Sequence, residues 1–157
     1  ASEDIIGCQL GGAMKNILSV AVGISDGLGL GSNAKAALIS RGIVEMRIIG
    51  EILNCDTDTI YGLSGLGDLV LTANDNLSRN RRLGIEIAQG SSIKDAEKKI
   101  GQVVEGIFAS QGLDILIKKY ALNLPISSKV FDIINEKVNP KDAVNDLLLR
   151  EKKSEFV

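Results

Sequence analysis

The stretch GGAMKNILSVAVGISD, residues 11–26, decides the fold. Ala13, Ile17, Val20, Ala21 and Ile24 recur at helical spacing, and most residues between them are small or apolar too. A helix at a protein surface shows one apolar stripe, whereas a segment apolar almost all round is enclosed by other elements. These residues therefore predict a buried central helix.

Working outward, Gly27, Gly29 and Gly31 end that helix, and Ser32 or Asn33 offers a cap for a second one. Ile39, Ile43, Met46 and Ile49 or Gly50 form its inner side; Arg41 with Glu45 and Arg47 with Glu51 read as i,i+4 pairs on its solvated face. Asp56 or Thr57 starts a short helical turn. The glycine patterns at 27–31 and 62–67 read as turns, since no strand precedes them and neither has the spacing of a dinucleotide fingerprint. Ser78 precedes a helix over 79–90, and Ser92 with Asp95 has the form of a capping box. Residues 102–105 connect to a helix over 107–120. Pro125 and Pro140 stand at helix starts, where a missing N–H costs nothing. Residues 150–157 are charged and expected to fray. No segment has strand periodicity, so one all-α domain over 1–157 is expected.

Composition narrows the function. With 45% apolar residues, five aromatics and no Trp among 157 residues, the core must be aliphatic. A net charge of −2 provides no general field for polyanions, which argues against a nucleic-acid partner. Apolar runs such as 17–24, interrupted by Ser19, fall short of the roughly 20 residues of a bilayer span, so no membrane span is expected. Glu3 and Asp4 stand where a signal peptide carries a basic segment. Cys8 and Cys55 form neither a disulfide framework nor a metal cluster, which points to the cytoplasm. Histidine is absent, excluding Ser-His-Asp catalysis and histidine-based zinc sites in this chain. Asp56 and Asp58 lack the glycine and distal glutamate of a calcium loop, so no metal site is expected.

Three polar features interrupt the apolar pattern. Lys15, followed by Asn16, lies within the central helix; it is either a lysine snorkelling to the surface or one held in a cleft for proton transfer. Asp68, in the sequence GLGDL, is either a helix cap or a catalytic carboxylate. Ser78, Arg79, Asn80, Arg81 and Arg82 open a helix, where N–H groups, the helix dipole and guanidinium forks favour an anion such as phosphate. The bland alternative is a solvated basic face.

In order along the chain, GGAMKN (11–16), DGLGLGSNAKAALISRG (26–42), GLGDLVLT (65–72), SRNRRLG (78–84) and GQVVEG (101–106) resemble the C-terminal, substrate-binding domain of bacterial NAD(P)-dependent glycerol-3-phosphate dehydrogenases. The likeness runs over about residues 7–150. It implies an all-α domain whose N-terminal Rossmann-type partner lies outside this chain, so that the piece alone should not catalyse. It implies hydride transfer between NAD or NADP, bound mainly by that partner, and the C2 position of dihydroxyacetone phosphate or sn-glycerol 3-phosphate, feeding phospholipid biosynthesis. Lys15 would then be the proton donor or acceptor and Asp68 its acidic partner. Asn16, Thr72, Ser78, Arg79 and Asn80 would bind substrate, and Arg79, Val103 and Glu105 would touch the cofactor. Association into a homo-oligomer through the apolar face left by the absent domain is a further expectation. Competing assignments are the helical domain of another two-domain hydroxy-acid dehydrogenase, against which the phosphate segment argues, and a helical dimerisation or interaction module.

Overall fold

The computed structural model describes residues 3–149, with side chains described as far as Leu147; the segment 150–157, expected to fray, lies outside the described residues. Among these residues the chain is helical without a strand. The helices are α1 (Ile5–Gly27), α2 (Gly31–Ile52), α3 (Thr57–Tyr61), α4 (Asp68–Asn74), α5 (Arg79–Ala88), α6 (Ile93–Ile100), α7 (Glu105–Tyr120), α8 (Pro125–Ile134) and α9 (Pro140–Leu149). A π-helical turn, Leu63–Gly67, leads into α4.

The expected central helix is α1, which packs against α2, α4, α5, α7 and α8. Its second half is enclosed on every side, with 16–25 continuously buried. The first half has neighbours along one stripe only, Gly7, Leu10, Gly11 and Met14, so Ala13 is exposed rather than part of the core. With 23 residues and a mean hydropathy of 1.4 over an 18-residue window, α1 is by length and composition long enough to cross a bilayer, which its interrupted apolar runs did not suggest. Here 61% of that window is buried among the other helices. Burying side chains such as Met14, Ile17 and Val20, each at most 1% exposed, contributes about 1.5–3 kcal/mol apiece.

The tightest packing is between α1 and α5. A Cβ on Gly23 would stand 2.0 Å from the Arg81 carbonyl oxygen, and one on Gly84 would stand 2.2 Å from the Val20 carbonyl oxygen. Only glycine lets the two backbones approach this closely.

Several expectations need correction. The second helix begins at Gly31, and no side chain caps it. Glu45 does not lie on a solvated face: it is 3% exposed and its carboxylate accepts from Ile126 N at 2.6 Å, Ser127 N at 3.0 Å and Ser127 Oγ at 2.6 Å. Leu124, at the N-cap of α8, has no side-chain acceptor for these N–H groups, and Glu45 supplies it from a distant part of the chain. The partner pair Arg47 with Glu51 does form on the surface. The glycines of 62–67 do not make simple turns. Gly67 N donates to Gly62 O at 3.0 Å, the i→i+5 bond of a π-turn that runs directly into α4. The helix expected over 107–120 starts at Glu105, and the one expected over 79–90 ends at Ala88.

Candidate active site

Lys15 lies on the half-enclosed part of α1 and Asp68 opens α4. Between them, Gly11 permits the contact: a Cβ there would sit 2.2 Å from the Ser64 carbonyl oxygen, so the π-turn presses against α1 one helical turn before Lys15. The turn delivers Asp68 Oδ2 to 2.5 Å from Lys15 Nζ. Their side chains are 26% and 39% exposed, so the ion pair borders solvent instead of being sealed from it. Asp68 is therefore not simply a cap, nor does Lys15 reach unaccompanied into water. Thr72 follows Asp68 by four residues on the same face of α4 and is half-buried.

Asn16 is 8% exposed and turns inward. Asn80 Nδ2 donates to Asn16 Oδ1 at 2.9 Å, Asn16 Nδ2 donates to Glu105 Oε2 at 3.0 Å, and Asn80 Oδ1 accepts from Gly106 N at 2.8 Å. This chain of amides ties α1, α5 and the start of α7 together next to Lys15. Val104, the N-cap of α7, offers no side-chain acceptor, so Asn80 caps α7 from across the site.

Ser78 is the N-cap of α5, its Oγ accepting from Arg81 N at 3.3 Å. Arg79, at the first position of α5, donates from Nη1 to the Val103 carbonyl at 2.9 Å, and its Nη2 lies 3.9 Å from Glu105 Oε1. Val103 is 62% exposed and the Glu105 side chain 61%. The residues singled out in the sequence thus form two groups that meet at neighbouring positions of α1. Lys15 and Asp68 make an amine–carboxylate pair; Asn16, the next residue, is hydrogen-bonded to Asn80 and Glu105, and Arg79 to the Val103 carbonyl, while Ser78 caps α5.

The sequence profile described as NAD-dependent glycerol-3-phosphate dehydrogenase C-terminus matches residues 4–145. The chain belongs to that family. Curated glycerol-3-phosphate dehydrogenases [NAD(P)+] of Shewanella pealeana and Shewanella frigidimarina are 46% and 45% identical to it over 155 residues, 99% of this chain and 46% of each relative. It thus spans about half the length of the curated relatives it matches. The crystal structure of glycerol-3-phosphate dehydrogenase from Coxiella burnetii superposes with a TM-score of 0.92 at 46% identity, over 95% of this chain and 46% of that one. The glycerol-3-phosphate dehydrogenase of Saccharomyces cerevisiae superposes with a TM-score of 0.84 at 25% identity, over 94% of this chain and 43% of that one.

Within this chain, the ion pairs that gather around Asp26 were not read from the sequence. Arg81 Nε donates to Asp26 Oδ2 at 2.8 Å, and Lys35 Nζ lies 3.1 Å from the same oxygen. The signal available was a carboxylate at the end of an apolar helix, a position that the helix dipole disfavours unless cations compensate.

Proposed function

We propose that this chain is the substrate-binding and proton-transferring half of an oxidoreductase that interconverts dihydroxyacetone phosphate and sn-glycerol 3-phosphate. The observation that carries this reading is the Lys15–Asp68 pair, 2.5 Å apart, with the residue after Lys15 hydrogen-bonded to the second residue of α5. An amine beside a carboxylate can give and recover a proton, and its charge stabilises an oxygen that becomes negative.

The start of α5 suits the phosphate. Its dipole is positive there, Ser78 Oγ is committed to Arg81 N, and the N–H groups of Arg79 and Asn80 belong to the helix's first turn, whose donors need outside acceptors. Held at that point, the substrate would place its C2 oxygen toward Lys15 Nζ, with Asp68 fixing the amine and Thr72 beside it. On reduction Lys15 gives its proton to the C2 oxygen; on oxidation it takes that proton back. The Asn80 and Asn16 side chains are engaged with protein groups, so they shape the site while the Asn80 backbone N–H remains the substrate contact.

The nicotinamide cofactor, NAD or NADP, supplies and accepts the hydride. Exposed Val103 and Glu105 and the 40% exposed Arg79 side chain fit an edge that meets it, opposite a Rossmann-type domain in the remainder of the protein. The free thiols of Cys8 and Cys55 accord with a cytoplasmic enzyme supplying glycerol phosphate for phospholipid synthesis.

The test uses the full-length protein. Dihydroxyacetone phosphate should drive oxidation of NADH or NADPH, and sn-glycerol 3-phosphate, but not glycerol, should raise the melting temperature. Neither response would be seen from an interaction module, and their absence removes the reading.

A further inference from the structure

Arg81 belongs to the basic segment whose guanidinium forks suit a phosphate, yet its donors are already committed. Nε and Nη2 lie 2.8 and 2.7 Å from Asp26 Oδ2, and Nη1 donates to Asn76 Oδ1 at 2.9 Å. A guanidinium grips phosphate through two adjacent N–H groups, and here that edge is closed by Asp26. The Arg81 and Asp26 side chains are only 14% and 17% exposed. Lys35, on the first turns of α2, reaches the same carboxylate oxygen. One oxygen of Asp26 therefore gathers the end of α1, the beginning of α2 and the first turn of α5, while Asn76 adds the loop before α5.

The backbone fixes the same point independently. The Arg81 carbonyl lies so close to Gly23 that no Cβ fits between them, and Gly23 is three residues before Asp26. Main chain and side chain of Arg81 thus both lock onto α1, directly behind Ser78, Arg79 and Asn80.

We propose that Asp26 and Arg81 are positioning residues for the phosphate subsite, holding the first turn of α5 in register with Lys15 without touching substrate. This rests on the function proposed above. Lys15 and Asp68 sit on α1 and α4, outside the clamp, so loosening it should weaken phosphate binding more than proton transfer. The fork, not charge alone, performs this task.

The experiment measures steady-state kinetics of full-length Arg81→Lys, Asp26→Asn and Arg82→Gln enzymes, with inorganic phosphate as a competitive inhibitor. Arg81→Lys keeps the charge and loses the fork. It and Asp26→Asn should raise KM for dihydroxyacetone phosphate about tenfold or more and weaken phosphate inhibition by a similar factor, with kcat within about threefold of the parent. Arg82→Gln removes a neighbouring exposed charge and should have the smaller effect. Unchanged phosphate inhibition overturns the proposal, as does a loss confined to kcat or an Arg82→Gln effect equal to that of Arg81→Lys. If Arg81→Lys does not fold, Asn76→Ala at its exposed loop position carries the same test. A higher KM for dihydroxyacetone phosphate and weaker phosphate inhibition at constant kcat support the clamp, and no change overturns it. A parent enzyme inactive on dihydroxyacetone phosphate would sink the functional reading itself; an active parent with unaffected variants would sink only the clamp.

Discussion

The Asn80 side chain bridges two helices that sequence separates widely: its oxygen accepts from Gly106 N at 2.8 Å and its nitrogen donates to Asn16 Oδ1 at 2.9 Å. Asn80→Ala would leave the buried Gly106 N–H and the Asn16 oxygen without these partners. A loss of about 1–3 kcal/mol is expected for the unsatisfied donor. The full-length variant should show a lower melting temperature and faster hydrogen exchange at the start of α7; unchanged exchange there would contradict the bridge.

Lys15→Ala in the full-length enzyme should lower kcat about 10²- to 10⁴-fold, the range typical of positioned proton transfer. Cofactor affinity, measured by fluorescence titration, should change little. A kcat equal to that of the parent would take Lys15 out of the mechanism.

Glu45 accepts three hydrogen bonds at the start of α8, and removing a charged acceptor is costly where its donors are buried. Glu45→Ala should destabilise the protein by about 3 kcal/mol or more, visible as a large drop in melting temperature. Glu45→Gln, keeping shape and some acceptor capacity, should lie between the two. Equal melting temperatures for parent and Glu45→Ala would refute the cap.

Gly84→Ala puts a methyl group against the Val20 carbonyl, 2.2 Å away before relaxation, and backbone cannot swing aside as a side chain can. Overpacking of this kind costs about 1–3 kcal/mol. The same change at Gly112, whose Cβ would meet nothing within 4 Å, should be tolerated. Thermal denaturation of the two variants makes the comparison, and equal losses would count against the close crossing.

Asp4 caps α1 by accepting from Gly7 N and also accepts from Asp56 N, both at 2.7 Å. These bonds, that from Gly7 first, hold its pKa below the ordinary 3.8. A carboxylate with a depressed folded-state pKa stabilises the protein above its unfolded pKa, and that contribution fades as pH falls through the lower folded value. Asp4→Ala should therefore lower the melting temperature at neutral pH, with the difference shrinking as pH drops below about 4. A difference independent of pH would show that the carboxylate charge plays no part.

Helix existence was legible wherever signals were local. Ser78 and Ser92 cap as their sequence neighbourhoods suggest, and Pro125 and Pro140 start helices. What escaped the sequence comes from partners far along the chain. Glu45 looked like a surface charge because its donors lie 81 and 82 residues away, and α7 began earlier than expected because Asn80 caps it from 26 residues back. The π-turn and α4 were hidden by glycines that lower helix propensity but allow the approach to α1. At the candidate site, Lys15 and Asp68 stood out in the sequence as polar interruptions of an apolar pattern, and family likeness supplied only their expected roles. The sequence could not assign the Asn16 and Asn80 amides to internal bonds, nor separate Arg79 at the exposed edge from Arg81 within the clamp.

The contact at Gly23 and Gly84 places a constraint on how this site can evolve. A larger residue at either position would tilt α5 and carry Arg79 and Asn80 away from Lys15, although neither glycine has a functional group to lose. Under the function proposed above, loss of activity from such a change would look like an active-site lesion while originating in helix spacing, and could be repaired by restoring the distance between helices without altering any reactive group.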